Sequence, residues 1–405
     1  MRSGPPSLAS SQSRIPRPAK PVQETDPRQT NALWRRVMSA TRTPPSRLPV
    51  KASDSGIGSS GSRSSPSVAN SATSSRKGSR WAKPADPDFE TAVLTPRGII
   101  LDRERLPVLK PWFHFGTPPP PSERVCDFYQ SLPGLAETTV WLEGQDAFVE
   151  VVLREYRSMH TLGENEAEFA AYAIKDLLKR EPRHAELSDT ERPWRCERKI
   201  EFSSKPEGFW LEPPVLHPAL KAYHFSLRPD CSYWVSLQAF NPEYRTLVKS
   251  FVSVRQSRIL CPYLTIEFKK NEKTVPQATV QVAASAAIAL YNRYRLKLQR
   301  LKATGSVWTD EHRSHLRHYG LVLAGRSYQF WCMEANLDPH DGSWRGCCMF
   351  TLLQSECESR ANVRHFIDWI NEIHRWGLTA HALSCEDDIK HCIQKAGGGA
   401  RTSLG

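Results

Sequence analysis

A β-strand is predicted where apolar and polar side chains alternate in the run Leu264-Thr265-Ile266-Glu267-Phe268-Lys269. Because successive side chains of a strand point to opposite faces, the three apolar residues would enter a core together. Glu267 and Lys269 would then project from the other face, about 6.6 Å apart along the strand. The run therefore predicts a carboxylate and an ammonium group held side by side.

A second acid, Asp230, lies 37 residues before Glu267 and directly follows Pro229. Residues 223–240 around it are predicted to form a pair of strands, or one strand that enters the core. Two carboxylates can hold a divalent cation, and a nearby ammonium can orient water or offset negative charge. The pattern of an acid followed by acid-x-lysine therefore indicates metal-dependent hydrolysis of a phosphodiester.

The sequence on either side of these strands predicts helices. Apolar residues recur at helical spacing over residues 164–180, and again from Pro276 to about Lys302. This order predicts an α/β (α+β) fold in which helices flank a mixed central β-sheet. The other predicted elements are short strands or an extended arm over 92–94 and 98–101, a helix near 123–132, an irregular connection over 183–220, a helix or strand starting at 241–245, strands over 319–323 and 328–335, and a last helix before Gly377.

Charge is distributed unevenly along the 405 residues, which carry a formal net charge of +12. Residues 1–80 hold 14 Lys and Arg residues against three acids and are rich in Ser and Pro, which predicts a disordered basic tail. Residues 241–302 hold 12 Lys and Arg residues against three acids. Such a basic segment around Glu267 suits a polyanionic substrate, and an ordinary solvated face has the same composition. We expect one domain over 81–395 and a second disordered tail over 396–405.

The chain shows no sign of export or membrane insertion. Its first residues lack the apolar core of a secretory signal, and its most apolar run, residues 282–290, is too short to span a bilayer. The ten cysteines include no Cys-x-x-Cys pair, and their spacing fits no usual zinc pattern. We therefore expect reduced thiols in an intracellular protein, nuclear or cytoplasmic, with no membrane partner.

These motifs resemble the PD-(D/E)XK nuclease superfamily, which has the restriction-endonuclease-like fold. More closely, residues from about 88 to 395 resemble a group of uncharacterised fungal proteins with a core of that kind. The closer resemblance lies in residues 228–234 (RPDCSYW), 261–270 (CPYLTIEFKK) and 365–371 (HFIDWIN). The first two stretches contain the superfamily motif.

The resemblance implies a metal site. Asp230 and Glu267 would bind Mg²⁺, or Mn²⁺ in its place, and Lys269 would lie near the attacking water. The family also places an acid on the helix before the first strand of the motif, where Glu166 is favoured over Glu164 or Glu168. The alternative for this glutamate is a solvated position on the helix surface.

Four further residues are candidates for binding substrate. Some members of the family have a glutamine on the helix after the lysine, and Gln281 is at that place; it would contact substrate or, as we favour, tie the helix to the sheet. Arg258, Lys270 and Lys273 are candidates for contacts with phosphate groups.

Two functions remain open from the sequence. The first is a Mg²⁺-dependent nuclease that hydrolyses phosphodiester bonds of DNA or RNA. The second is a catalytically inactive nuclease-like fold that binds nucleic acid or protein. The long gap between Asp230 and Glu267 requires an insertion between their strands. Carboxylate oxygens more than about 8 Å apart would favour the binding function.

Overall fold

The computed structural model describes residues 80–120, 125–181, 196–218, 223–226, 228–240 and 242–399. The predicted disordered tails, 1–80 and 396–405, lie outside these ranges except for Arg80 and residues 396–399. The described residues up to Ala396 belong to one compact unit.

A mixed seven-stranded sheet forms the centre of this unit, in the order β2-β9-β8-β7-β6-β5-β3. Two neighbouring pairs, β6–β7 and β2–β9, are parallel, and the other neighbours are antiparallel. The strands are β1 (Arg80–Trp81), β2 (Ile99–Asp102), β3 (Cys196–Ile200), β4 (Tyr223–His224), β5 (Cys231–Ser236), β6 (Ile259–Lys269), β7 (Arg317–Ala324), β8 (Ser327–Leu337) and β9 (Trp344–Glu356), of which β1 and β4 form a separate parallel pair.

Helices cover both faces of the sheet, so the predicted mixed α/β class is confirmed. Among the helices that the structure describes, none is long and apolar enough to cross a membrane. The helices are α1 (Pro111–Phe115), α2 (Val125–Gln130), α3 (Asp146–Leu162), α4 (Glu166–Tyr172), α5 (Pro242–Val248), α6 (Val275–Thr304), α7 (Asp310–Ser314), α8 (Arg360–Trp376) and α9 (Ala382–Gly399).

Strand β6 lies in the middle of the sheet, as its alternating pattern predicts. Leu264, Ile266 and Phe268 enter the core on one face, together with residues of α3, α4 and α8. The strand is paired on both edges, by β5 and by β7, so that even its polar Glu267 is buried. The predicted strand is therefore confirmed, and it begins at Ile259, five residues before the alternating run.

Helix α6 covers the other face of the sheet. It packs on β6 and β7, and every residue from Val282 to Leu290 is buried. Small alanines allow a close approach between helix and sheet, and Gly320 of β7 has no room for a β-carbon beside Val282. The helix begins with Pro276 in its first turn and ends at Gly305, whose φ of 68° suits a left-handed C-cap. The predicted helix is confirmed.

The structure differs from the prediction in several segments. Residues 183–220 contain strand β3, whose Glu, Arg and Lys side chains gave no alternating pattern but which pairs with β5 at the end of the sheet. The long strand β9 was not predicted. Residues 92–94 belong to a π-helical turn instead of a strand. Residues 396–399, predicted as tail, continue helix α9.

Candidate active site

Asp230 and Glu267 lie opposite one another on neighbouring strands. In the antiparallel register Cys231 of β5 pairs with Ile266 of β6, so the residue before β5 lies beside Glu267. Oδ2 of Asp230 accepts a hydrogen bond from the Phe268 backbone N–H at 2.8 Å, and the Asp230 carbonyl accepts one from Glu201 N–H at 2.8 Å. The sheet therefore fixes both the backbone and the carboxylate of Asp230.

Lys269 brings a positive charge to these two carboxylates. Its Nζ atom is 3.7 Å from Glu267 Oε2 and 3.9 Å from Asp230 Oδ2, and it donates a 2.6 Å hydrogen bond to the Phe268 carbonyl. Because both carboxylate oxygens lie within 3.9 Å of one nitrogen, they are less than about 8 Å apart. The insertion between β5 and β6, which includes α5, leaves Asp230 beside Glu267.

The Glu267 carboxyl is buried, and the described residues around it do not supply a hydrogen bond or an ion pair to both of its oxygens. Its side chain is 2% exposed, and Oε1 has no hydrogen-bond partner among the described residues. Burial, and then the neighbouring Asp230 carboxylate, raise the pKa of Glu267 well above the ordinary value, while Lys269 acts against the shift. The site therefore favours a neutral Glu267 unless additional positive charge is supplied.

The oxygen atoms at this place are of the type that divalent cations such as Mg²⁺ bind. Three oxygens, from Asp230, Glu267 and the Phe268 carbonyl, surround the Lys269 ammonium, and hard oxygen ligands are those that Mg²⁺ prefers. The unpartnered Oε1 of Glu267 is a further acceptor. Asp230 and Glu267 are the residues that would hold the ion. Among the described residues, no group of three or more His, Cys, Asp and Glu side chains is arranged to hold a metal ion.

A cavity of about 690 Å³ opens beside Asp230. Glu166, the first residue of α4, is among its lining residues, and Glu164 and Glu168 are not. The side chain of Asn165 caps α4 by accepting hydrogen bonds from Ala167 N–H and Glu168 N–H, which fixes the start of the helix. Glu166 thus faces the same cavity as Asp230, and its side chain is exposed.

Two of the predicted substrate-binding residues follow Lys269 closely. Lys270 is exposed and lines the cavity beside Asp230. Lys273 is exposed in the turn Glu272–Thr274, immediately after β6, and its N–H is capped by the Asn271 side chain. Both lysines are thus at the end of β6 that carries Glu267.

Gln281 lies on α6 and is half-buried. Its Oε1 atom is buried and has no hydrogen-bond partner among the described residues. A tie between helix and sheet through this oxygen, the role favoured from the sequence, is therefore not seen.

Arg258 is not part of this group. It precedes β6 and lies nine residues before Glu267, a separation of roughly 25–30 Å along an extended strand. There it donates a hydrogen bond to Glu197 Oε1 at 3.2 Å and lines a different cavity. Arg258 is close to Glu267 in the sequence but not in space, because the two ends of a long extended strand are far apart.

One residue of the site was missed from the sequence. Glu201 follows β3, lines the cavity with Asp230 and Glu166, and has a positive φ of 48°. Its N–H holds the Asp230 carbonyl. Since β3 itself was not predicted, nothing in the local sequence indicated that Glu201 would reach the cavity. A capping signal did exist for Glu166, because Asn165 followed by Glu168 is typical of a helix start.

The fold and this site define a mixed α/β protein in which Glu267 and Lys269 of β6 meet Asp230, the residue before β5. Asp230 also lines an open cavity. No protein-family profile, curated protein or solved structure matches the chain.

Proposed function

We propose that this protein is a Mg²⁺-dependent nuclease of the PD-(D/E)XK type that hydrolyses phosphodiester bonds of DNA or RNA. The observation that carries the proposal is the convergence of Asp230, Glu267 and Lys269 at one end of the sheet. The three residues come from positions separated by up to 39 residues in the chain, yet both carboxylates lie within 3.9 Å of one ammonium.

Each residue has a part in this proposed chemistry. When bound, Mg²⁺ polarises a phosphate and lowers the pKa of a bound water. The Phe268 N–H donates a hydrogen bond to Oδ2 of Asp230, and this bond fixes the orientation of the Asp230 carboxylate. The Lys269 ammonium offsets negative charge that develops on the phosphate, and it positions a water by donating a hydrogen bond.

Substrate binding is assigned to the cavity side of the site. Lys270 lines the cavity beside Asp230, and Lys273 is exposed in the turn that follows β6. Contacts from such lysines would hold phosphate groups without reading the base sequence. Glu166 and Glu201 on the cavity wall would help to hold hydrated cations or water. We also propose that the protein acts inside the cell, in the nucleus or the cytoplasm, because free cysteines are typical of a reducing compartment.

A second candidate is a nuclease-like fold without catalysis that binds nucleic acid or protein. One observation favours it: Glu267 is buried with a raised pKa, and Lys269 already donates a hydrogen bond to the Phe268 carbonyl. In that case the carboxyl and the lysine would serve only to close the end of the sheet.

Cleavage assays on the full chain separate the two functions. Wild type and Lys269→Ala are incubated with labelled DNA and RNA in Mg²⁺, Mn²⁺ or EDTA. We expect metal-dependent cleavage that falls by about 100-fold or more in the variant, because a charge aimed at the transition state is lost. Lys390→Ala is the matched control, since Asp388-Ile389-Lys390 has the same acid-x-lysine spacing and Lys390 pairs with Glu386 on α9.

The control should retain its activity within about twofold, because a surface ion pair of this kind contributes little. Absence of cleavage by wild type on every substrate would reject the enzyme in favour of the binding function. Equal loss of cleavage in both lysine variants would show that the loss has a cause other than the site.

A further inference from the structure

A second cavity lies at the other end of β6, away from the carboxylates. Its volume is about 400 Å³, and Cys261 and Pro262 of β6 are among its lining residues. Helix α6 forms a long wall, and the segments around Trp210 and Phe251 form the others. None of the residues assigned to nuclease chemistry lines it.

The walls of this cavity are apolar and held in place. Aromatic and aliphatic side chains from three segments line it, including Trp210, Phe251 and Leu296. The Asn292 side chain on α6 accepts a hydrogen bond from Leu211 N–H at 2.9 Å and donates one to the Leu211 carbonyl at 2.7 Å. This double contact fixes the segment that carries Trp210 against the helix, so this wall of the cavity is held in place.

The charged side chains among the described residues that line the cavity are all cationic. They are Arg293, Arg295 and Lys302, and no Asp or Glu is among the described residues that line the cavity. Arg293 is committed to structure, because it pairs with Asp388 at 2.6 Å. Within the described part of the chain, neither Arg295 nor Lys302 has a carboxylate within ion-pair distance. The two lie seven residues apart on one face of α6, about 10 Å along the helix.

We propose that this cavity binds a small molecule with an apolar body and one anionic group. The apolar walls would take the body, and Arg295 and Lys302 would hold the anion. Its volume is within the range of small-molecule sites, and most of the described residues that line it are apolar, as is typical of such sites. This site is separate from the proposed nuclease centre and stands whether or not the chain cleaves nucleic acid.

Two dyes test the proposal on the full chain. The anionic probe is 8-anilinonaphthalene-1-sulfonate, and the neutral probe is N-phenyl-1-naphthylamine, which has the same rings without the sulfonate. Fluorescence titration gives the Kd of each. We expect saturable binding of both by wild type, and at least about a tenfold weaker Kd for the anionic probe in the double variant Arg295→Gln with Lys302→Gln. The neutral probe should change by less than about twofold.

The matched control removes two cations elsewhere. Arg360→Gln with Arg364→Gln alters two exposed arginines on α8, which pair with Glu150 and Asp146 and lie outside the cavity. This control should bind both probes as wild type does. Urea unfolding checks that each variant is folded. Absence of saturable binding by wild type, an unchanged Kd for the anionic probe in the Arg295 and Lys302 variant, or an equal loss for both probes would overturn the proposal.

Discussion

Two buried carboxyls of this protein show opposite solutions to the same electrostatic problem. Asp388 on α9 is fully buried, and its two oxygens accept hydrogen bonds at 2.6 Å from Arg293 and from Lys297. Glu267 on β6 is buried almost as deeply, but its lysine is 3.7 Å away and Oε1 is unpartnered among the described residues. The first carboxylate is compensated by the fold itself, whereas the second is left short of positive charge.

The difference separates a structural ion cluster from a candidate site. Both acids belong to an acid-x-lysine pattern, Asp388-Ile389-Lys390 and Glu267-Phe268-Lys269. Burying a charge is costly unless it is paired, so the incomplete pairing of Glu267 supports the proposal that it binds an outside cation. Residue spacing alone does not distinguish these two acid-x-lysine patterns. The ion-pair and hydrogen-bond partners of each carboxyl do distinguish them.

The largest expected effect follows from removing the charge of Asp388. Asp388→Asn would leave Arg293 and Lys297 buried without their counter-charge, and we expect the free energy of unfolding to fall by about 3–5 kcal/mol. Urea unfolding of the full chain measures it. Glu267→Gln, which keeps the shape of the side chain, should lower the free energy of unfolding by no more than about 1 kcal/mol. A similar loss in both variants would contradict the contrast between the two carboxyls.

The next effect concerns the pH dependence of cleavage. The pKa of Glu267 is raised, so in the absence of metal the carboxyl stays neutral above the pH at which an ordinary glutamate ionises. If the ionised form holds the metal, cleavage should increase with pH through this raised pKa, by up to about tenfold per pH unit below it. A rate profile at fixed Mg²⁺ measures this. A profile that is flat from pH 5 to about 8 would exclude Glu267 as the titrating group.

The same pKa predicts how stability changes with pH. A group whose pKa is higher in the folded than in the unfolded state stabilises the fold at low pH, and this contribution is lost as pH rises through the folded pKa. Wild type should therefore lose stability relative to Glu267→Gln as pH rises above about 4.5, the ordinary glutamate value. Unfolding curves of both proteins at a series of pH values, without metal, check the sign. A difference that does not change with pH would contradict it.

The smallest expected effect is stabilisation by metal. Mg²⁺ that binds only the folded chain should raise the unfolding temperature of wild type. At a Mg²⁺ concentration of 100 times its Kd, the gain in the free energy of unfolding is about 2.7 kcal/mol. Asp230→Asn and Glu267→Gln should lose this increase, whereas Asp388→Asn should keep it despite its lower starting stability. An equal increase in all four proteins would mean that the ion binds elsewhere. The measurement is a thermal melt in Mg²⁺ and in EDTA.

Local patterns were sufficient for a large part of the fold. The alternation in Leu264-Thr265-Ile266 and the helical spacing after Pro276 correctly predicted β6 and α6, because both elements bury whole faces against neighbours. They failed for β3, which is charged and acquires its strand structure by pairing with β5. Strands that depend on partners far away in the chain leave a weak local signal.

The candidate site, like the fold, has features that can be read from the sequence and others that depend on contacts between distant residues. The sequence alone identified Asp230, Glu267 and Lys269 as the candidate residues, because the pattern of an acid followed by acid-x-lysine can be read without the fold. Only the tertiary structure decided that Asp230 lies beside Glu267, that Glu166 and Glu201 line the same cavity as Asp230, and that Arg258 is at the far end of β6. Strand register and burial fix these relations, and both arise from contacts between residues far apart in the chain.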